Sequence, residues 1–186
     1  MNETLKTIAS RYSCRNFTGE IPSSEQLQAI ADAAIQSPSA NNSQRWKVIV
    51  IRNKELIGEL ETEAMKSIAE LPDKAIYDSI NSRGGKLFYN APCIVFVPIE
   101  PSNIASASLD CGIVSQNIAL AAESLGLGSC ICGLARFAFS ESKEAYFKEK
   151  LNFPEGYEFG MSVLIGKAVT VTSAHNPNRE KITYID

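Results

Sequence analysis

Four short apolar runs divide the sequence, and segments with helical periodicity separate them. The runs, rich in β-branched residues, occupy 46–51, 91–97, 129–133 and 159–166. Buried strands have this composition and length. Strands that alternate with helices predict an α/β or α+β fold, in which helices flank a central mixed β-sheet. Because no repeat, low-complexity tract or linker interrupts the pattern, we expect residues 1–186 to form one domain.

The helical segments are recognised by their caps and by the spacing of their apolar residues. Ser23 and Gln26 match a capping box, which predicts a helix from this cap to about residue 36. Ser140 is the expected N-cap of a later helix. The tail from Thr170 to Asp186 is polar and lacks an apolar face of its own. The predicted helices cover residues 3–10, 24–36, 54–71, 73–81, 109–125 and 140–151.

The overall charge argues against two classes of partner. A net charge of -3 and an isoelectric point near 5.3 leave no basic field for a nucleic-acid backbone or an anionic membrane surface. No apolar stretch approaches the roughly 18 to 20 residues of a membrane span, and the first residues lack the pattern of a secretion signal. We therefore expect a cytoplasmic protein with neither a nucleic-acid nor a membrane partner.

The number and spacing of the cysteines predict that they are reduced thiols that neither form disulfides nor bind a metal. There are five, an odd number scattered through a chain without a secretion signal. Cys130 and Cys132 alternate along one apolar run, a spacing shorter than that of usual zinc ligands. The single histidine, His175, lies far away in the polar tail. We expect no disulfide framework and no metal site.

Arg11, Ser13 and Arg15 are the first candidates for binding chemistry. At a period of two they share one side of an extended segment, so two guanidinium groups and a hydroxyl can converge on one anion. Taken alone, this spacing favours the alternative, a pair of solvated surface arginines.

Two further segments have the composition of ligand-binding elements. The loop 37–44 carries several hydrogen-bonding side chains next to a predicted buried strand, where they can read the edges of a polar heterocycle. Cys132, Gly133 and Leu134 follow another strand, and the missing side chain at Gly133 lets the backbone approach a planar ligand closely. An ordinary turn is the alternative for each segment.

The order of these segments resembles the nitroreductase family of FMN-dependent oxidoreductases. The resemblance covers nearly the whole chain, and Arg45 departs from it because family members commonly have proline there. The chain is also shorter than the larger members, which carry extra helical segments around the pocket. The matching motifs are Arg11-x-Ser13-x-Arg15, Ser37-Pro38-Ser39-Ala40-x-Asn42-x-Gln44-x-Trp46, Ala91-Pro92, Asp110-Cys111-Gly112-Ile113 and Gly126-Leu127-Gly128 leading into Cys132-Gly133.

The resemblance implies a homodimer that holds FMN at the subunit interface, with the C-terminal tail packed on the partner. Arg11, Ser13 and Arg15 would hold the phosphate and ribityl chain, with Tyr12 contributing backbone, and Arg179 would lie near the phosphate. The flavin ring would be lined by the loop, partly from the other subunit, and would face the residues after the third strand. These ring-facing positions are Pro38, Ser39, Ala40, Asn42 and Gln44 in the loop, and Cys132, Gly133 and Leu134 after the strand.

The chemistry implied by the resemblance belongs to the flavin rather than to a catalytic side chain. NAD(P)H would pass a hydride to the ring and leave, and a nitroaromatic, a quinone or a similar small acceptor would then take the electrons at the same pocket. Two other functions stay open. One is a specialised flavin enzyme of the same fold, such as a dehalogenase, an enoyl-type reductase or a flavin-fragmenting enzyme. The other is a non-catalytic protein that stores or senses FMN.

Overall fold

An antiparallel sheet with helices on both faces forms the centre of the structure, a computed structural model that describes residues 1–101 and 106–185. The strands lie in the order β1-β2-β4-β3, and each neighbouring pair is antiparallel. A parallel contribution comes from an isolated bridge between Ser13 and Ser129. The α+β architecture is as predicted, but the sheet is antiparallel rather than mixed, because the parallel bridge lies outside its four strands. The strands are β1 (Ile49–Ile51), β2 (Cys93–Ile99), β3 (Gly128–Ile131) and β4 (Glu158–Gly166).

The helices agree closely with the periodicity of the sequence. The capping box at Ser23 is formed, since Ser23 Oγ accepts from the Gln26 N–H at 3.2 Å and Gln26 Oε1 accepts from the Ser23 N–H at 3.0 Å. Short 3₁₀ turns occupy Ala40–Asn42, Gly133–Ala138 and Arg179–Lys181. The α-helices are α1 (Glu3–Ser10), α2 (Ser24–Ile35), α3 (Lys54–Glu70), α4 (Ala75–Asn81), α5 (Ser106–Ser124) and α6 (Glu144–Lys150).

Several predicted boundaries differ from the structure, and the contacts explain three of the differences. The first strand begins only at Ile49, because Trp46 reaches the sheet through an isolated bridge to Ile99. Strand β3 stops at Ile131, since the 3₁₀ turn starts at Gly133. The prediction of Ser140 as a helix N-cap was wrong.

Ser140 instead belongs to a turn that precedes α6. Its carbonyl accepts from the Lys143 and Glu144 N–H groups, both at 2.8 Å, while its hydroxyl donates to Glu63 Oε1 at 3.2 Å. The side chain is thereby directed toward α3 and leaves the first turn of α6 uncapped. Asp186, the last residue of the predicted polar tail, lies outside the described residues.

The sheet is buried on both faces, which explains why its strands are continuous apolar runs. Alternate residues of β2 enter two separate cores. Ile94 and Phe96 pack with α3, α4 and α6, and Val95 and Val97 pack with α2 and α5. All five cysteines are free and buried within these two layers. None of the described helices combines the length and apolar character needed to cross a membrane.

Candidate functional site

The segment 11–15 lies against the edge strand β3. Helix α1 ends at Ser10, and the backbone turns extended at Arg11 (φ -54°, ψ 130°). Ser13 then forms its bridge with Ser129, and the Cys14 N–H donates to the Ser129 carbonyl at 2.8 Å. The predicted extended conformation is thus held by backbone pairing to the strand that leads into Cys132.

Two positive charges stand beside this strand. Within the described residues, the guanidinium groups of Arg11 and Arg15 form no ion pair. Arg15 is exposed and Arg11 is half-buried. Burial raises the pKa of the Cys130 thiol to about 11, and the charges of Arg15 and Arg11 oppose that rise. Both guanidinium groups are therefore near β3 and remain available to an anion.

Tyr12, between the two arginines, points the other way. Its side chain is buried in the core that contains α3, while Arg15 on the same segment is exposed. Tyr12 thus anchors the segment through packing, and its side chain is withdrawn from the surface that carries the guanidinium groups.

Cys132 is fixed by two hydrogen bonds to the neighbouring strand. Its N–H donates to the Ser162 carbonyl at 2.8 Å, and Ser162 Oγ donates to the Cys132 carbonyl at 2.7 Å. Burial raises the pKa of the Cys132 thiol, although the Leu134 and Ala135 N–H groups and the charge of Arg15 act against that rise. The turn after β3 therefore starts from a rigid point that lies within the field of Arg15.

Gly133, immediately beyond Cys132, is half-buried and is bordered by two side chains. A Cβ built on Gly133 would have as its nearest neighbours Met161 Sδ at 3.7 Å and Arg136 Nη1 at 3.8 Å. These are ordinary van der Waals distances, so the side chains of Met161 and Arg136 lie next to the Gly133 α-carbon. Leu134 follows, half-buried against the core. The close approach of a planar ligand to Gly133 stays a prediction, because on this side the ligand would meet those two side chains.

The loop 37–44 is held in an unusual backbone conformation. Asn41, Asn42 and Gln44 have positive φ angles of 53°, 51° and 47°, a region that asparagine tolerates and glutamine rarely adopts. Ser39 Oγ accepts from the Gln44 N–H at 2.9 Å, and Gln44 Nε2 donates to Asn42 Oδ1 at 2.9 Å. These bonds offset the strain and fix the polar side chains relative to one another.

This loop is anchored on α5, away from the segment 11–15. The Ala40 N–H lies 3.3 Å from Asp110 Oδ2, and Asn117 Nδ2 donates to Ser37 Oγ at 2.9 Å. Pro38, Ala40, Asn42 and Gln44 are exposed, and Ser39 is half-buried. Among the residues that the structure describes, none of the loop's hydrogen bonds reaches the segment 11–15 or the turn after β3.

Arg179 shares no hydrogen bond with the segment 11–15 in the part of the chain that the structure describes. It is exposed in the 3₁₀ turn of the tail, where its carbonyl accepts from the Ile182 N–H at 3.1 Å. The backbone pairing thus brings together two of the three predicted binding elements, the segment 11–15 and the strand that leads into residues 132–134. Among the described residues, no hydrogen bond or ion pair joins the loop 37–44 or Arg179 to them.

Three residues that sequence reasoning missed help to build the site. Ser162 donates to the Cys132 carbonyl, while the side chains of Met161 and Arg136 cover one face of Gly133. Ser162 had a usable signal, because it is a lone hydroxyl within the apolar run 159–166. Arg136 lacked one, since only the tight turn after β3 brings its side chain back over Gly133.

The fold and the site together define a class: an α+β protein in which an extended segment with two arginines pairs with the edge strand β3. Neither arginine forms an ion pair within the described residues. The chain belongs to the nitroreductase family, whose family model matches residues 8–167.

Solved structures and curated relatives agree with that assignment. A nitroreductase with bound FMN from Desulfitobacterium hafniense DCB-2 is 52% identical, superposes with a TM-score of 0.98, and the match covers 100% of both chains. A putative NADH dehydrogenase/NAD(P)H nitroreductase from Archaeoglobus fulgidus is 30% identical over 83% of this chain and 79% of the relative. A relative of the same description from Methanothermobacter thermautotrophicus is 31% identical over 71% of this chain, which spans 61% of that relative's length.

Proposed function

We propose that this protein is an NAD(P)H-dependent FMN oxidoreductase that passes electrons to a small acceptor such as a nitroaromatic compound or a quinone. The observation that carries the proposal is the bridge from Ser13 to Ser129, which places Arg11 and Arg15 beside the strand that leads into Cys132 and Gly133. In the part of the chain that the structure describes, neither arginine forms an ion pair. Family membership supports it, as does the FMN bound by the similar protein from D. hafniense.

The residues present fit FMN. Among residues 1–101 and 106–185 neither Arg11 nor Arg15 forms an ion pair, so their guanidinium donors would hold a phosphate together with Ser13. The turn after β3 would face the planar ring. Bound FMN supplies the hydride-accepting and hydride-donating chemistry. The donor and the acceptor would use one pocket in turn, as in a ping-pong reaction.

The chain's own side chains would bind and orient the flavin, and would keep competing nucleophiles away from it. Burial raises the pKa of Cys132, so its thiol stays protonated near neutral pH and does not compete as a nucleophile. Ser162 holds the carbonyl of Cys132, which fixes the backbone N–H groups that follow. We assign no acid–base side chain to the reaction.

A homodimer would complete the site. Helix α5 exposes Leu109 (69% accessible) and Ile113 (39%) on one face, although its opposite face is buried in the core. The loop 37–44 is hydrogen-bonded to Asp110, next to this apolar face. Pairing of α5 with a second copy would carry Pro38, Ser39, Ala40, Asn42 and Gln44 toward the partner's flavin.

The C-terminal tail supports the same assembly. Val171, Tyr184 and Ile185 are each more than four-fifths exposed, and the tail has no core of its own. We place this tail, with Arg179, against the second subunit. The five reduced, buried thiols suit a reducing compartment, which favours a cytoplasmic location.

Anaerobic reduction of the purified protein tests the proposal. We expect flavin absorbance after FMN is added and excess FMN is removed, rapid bleaching on mixing with NADH or NADPH, and recovery when a nitroaromatic or a quinone is added. Protein that takes up no FMN would refute the proposal. FMN-loaded protein that neither nucleotide bleaches would instead indicate a storage role, and turnover confined to one halogenated or enoyl acceptor would indicate a specialised enzyme.

A further inference from the structure

We infer that a cleft beside the first turns of α3 binds small carboxylates that have an apolar body, such as an aromatic acid. The cleft has a volume of about 340 Å³, and sites for small molecules have roughly 300 to 1,000 Å³. No lining residue that the structure describes belongs to the segment 11–15, the loop 37–44 or the turn 132–134. The inference therefore concerns a second site and goes beyond the proposed function.

Apolar side chains form much of the cleft surface. Ile57 and Ala91 line it and are buried members of the core around α3, and the neighbouring Pro92 is half-buried. Ile21, half exposed, adds apolar surface from the segment before α2. Because covering apolar surface is favourable, a ligand with an apolar body gains affinity here.

Gly58 leaves one wall of the cleft without a side chain. It lies inside α3, where glycine is less favourable than alanine. A Cβ built on Gly58 would meet no atom within 4 Å, so packing among the described residues does not require glycine at this position. The missing side chain instead keeps the space beside the helix open.

Three cationic side chains, those of Arg52, Lys54 and Lys86, line the same cleft. Arg52 and Lys54 are exposed, and neither is ion-paired in the part of the chain that the structure describes. Arg52 Nη1 donates to Ser24 Oγ at 3.4 Å, which uses one of five guanidinium donors. The charge of Arg52 also acts on the thiol of Cys93, at the start of β2. The guanidinium group is thus held near the cleft with donors to spare.

Glu61 contributes a carboxylate to the cleft, and both of its oxygens have partners. Oε1 accepts from the Phe88 N–H at 2.8 Å, and Oε2 lies 3.8 Å from Lys86 Nζ. Lys86 therefore offsets the charge of Glu61, and the positive charges of Arg52 and Lys54 remain. Such an excess favours an anion, and the planar guanidinium group matches a carboxylate.

The combination of charge and apolar surface defines the class of ligand. An inorganic anion would meet Arg52 but would leave the surface of Ile57 and Pro92 uncovered. A neutral aromatic alcohol would cover that surface but would carry no charge to pair with the guanidinium group. An aromatic carboxylate does both, and Asn90, the amide that lines the cleft, adds no opposing charge.

Nuclear magnetic resonance titration of the purified protein, saturated with FMN, tests the inference. The amide signals of Gly19 and Gly58 are the reporters, because both residues line the cleft. Benzoate, benzyl alcohol and inorganic phosphate are added separately, and we expect benzoate to bind with the highest affinity. Arg52→Gln should weaken benzoate binding about tenfold, the low end for a hydrogen bond to a charged group, because the side chain is exposed. Arg52→Lys should keep most of the affinity, and Arg83→Gln, at an exposed arginine outside the lining, should leave it unchanged.

Filling the cleft gives an independent test that keeps the charges. Gly58→Leu places a large side chain in the open space without a clash at its Cβ, so the fold should be retained, which circular dichroism checks. Benzoate should then no longer shift the Gly19 signal. Gly58→Ala is the matched control, since its single methyl group fills far less of the cleft and should weaken binding much less.

Three results would overturn the inference. Benzoate at millimolar concentrations could leave the Gly19 and Gly58 signals in place, or benzyl alcohol or phosphate could bind as well as benzoate. Alternatively, benzoate could bind Arg52→Gln and Gly58→Leu as tightly as the wild type. Flavin uptake and bleaching by NAD(P)H are measured separately, so each of these failures would leave the proposed function intact.

Discussion

Gly128 packs directly against Cys14, so the first residue of β3 contacts the segment 11–15. A Cβ built on Gly128 would lie 2.9 Å from both Cβ and Sγ of Cys14, closer than real Cβ atoms approach. Cys14 is 1% exposed and donates from its thiol to the Asn16 carbonyl. The glycine therefore sets how closely the two arginines can approach the strand.

Gly128→Ala should loosen the FMN phosphate site. The added methyl group must displace Cys14, which is buried and cannot rotate into solvent, and the segment that carries Arg15 must move with it. Such overpacking costs about 1 to 3 kcal/mol. We expect a lower free energy of unfolding and a weaker FMN affinity, measured by urea denaturation and by quenching of FMN fluorescence.

Gly58→Ala is the matched control for that substitution. Gly58 lies inside α3, where a built Cβ meets no atom within 4 Å. Alanine in an open helical position stabilises by roughly 0.5 to 1 kcal/mol relative to glycine. If Gly128→Ala proves as harmless as Gly58→Ala, the contact with Cys14 does not position the segment.

Arg15→Ala should weaken FMN binding by about 1.5 to 3 kcal/mol, the range for hydrogen bonds to charged groups. Riboflavin lacks the phosphate, so its affinity should fall far less. Titration of both ligands into apoprotein measures the difference, with Arg83→Ala, a substitution of an exposed arginine outside the segment 11–15, as a control. Equal losses for FMN and riboflavin would contradict the assigned role of Arg15.

The sequence predicted those parts of the site whose geometry is local. The period-two spacing of Arg11, Ser13 and Arg15 predicted an extended segment, and the capping box at Ser23 predicted where α2 begins. In both cases neighbouring residues determine the conformation.

Features that depend on contacts between residues far apart in the sequence could not be predicted from the sequence. Ser140 has the composition of an N-cap, but its hydroxyl donates to Glu63, which only the tertiary fold brings near. Likewise, spacing alone could not place Arg11 and Arg15 beside β3. The bridge from Ser13 to Ser129, which does so, joins residues more than a hundred positions apart.

Ser162→Ala should destabilise the turn that begins at Cys132. Ser162 is fully buried, and its hydroxyl donates to the Cys132 carbonyl at 2.7 Å. Without this donor the buried carbonyl loses a partner, at a cost of about 1 to 3 kcal/mol. Urea denaturation measures the loss, and the absorbance spectrum of bound FMN should shift because the backbone next to the ring moves.

Ser115→Ala provides the comparison. Ser115 is equally hidden, at 1% exposure, but its hydroxyl donates at 2.8 Å to the Cys111 carbonyl within its own helix. Such local back-bonding contributes little to a helix. An unfolding cost for Ser162→Ala no larger than that for Ser115→Ala, with an unchanged flavin spectrum, would remove Ser162 from the site.

Buried thiols should make the protein less stable in alkaline solution. Burial raises the pKa of Cys93 from 9.0 to about 12, and the charge of Arg52 opposes the shift. Because the folded pKa is raised, the stabilising contribution is complete below pH 9 and is lost as the pH rises toward 12. The unfolding free energy of the wild type should therefore fall across this window.

Comparison with Cys93→Ala isolates that contribution from other groups that titrate in the same range. The variant loses packing in the core but also loses the titrating thiol. The stability difference between wild type and variant should narrow as the pH rises above 9, when both are measured by urea denaturation. A difference that stays constant from pH 7 to pH 10.5 would show that Cys93 does not ionise on unfolding.

Charges placed on the exposed face of α5 should separate the proposed dimer. Leu109 and Ile113 lie one turn apart on this face, so Leu109→Glu combined with Ile113→Glu would bury four unpaired carboxylates in a symmetric interface. Light scattering should then give the mass of one chain, 20.3 kDa, where the wild type gives twice that mass. FMN should also be lost, because the loop 37–44 could no longer reach a partner's site.

Ile21→Glu, at a half-exposed position before α2, should leave both mass and flavin content unchanged. A wild-type protein that is monomeric and still binds FMN would show instead that one chain completes the site.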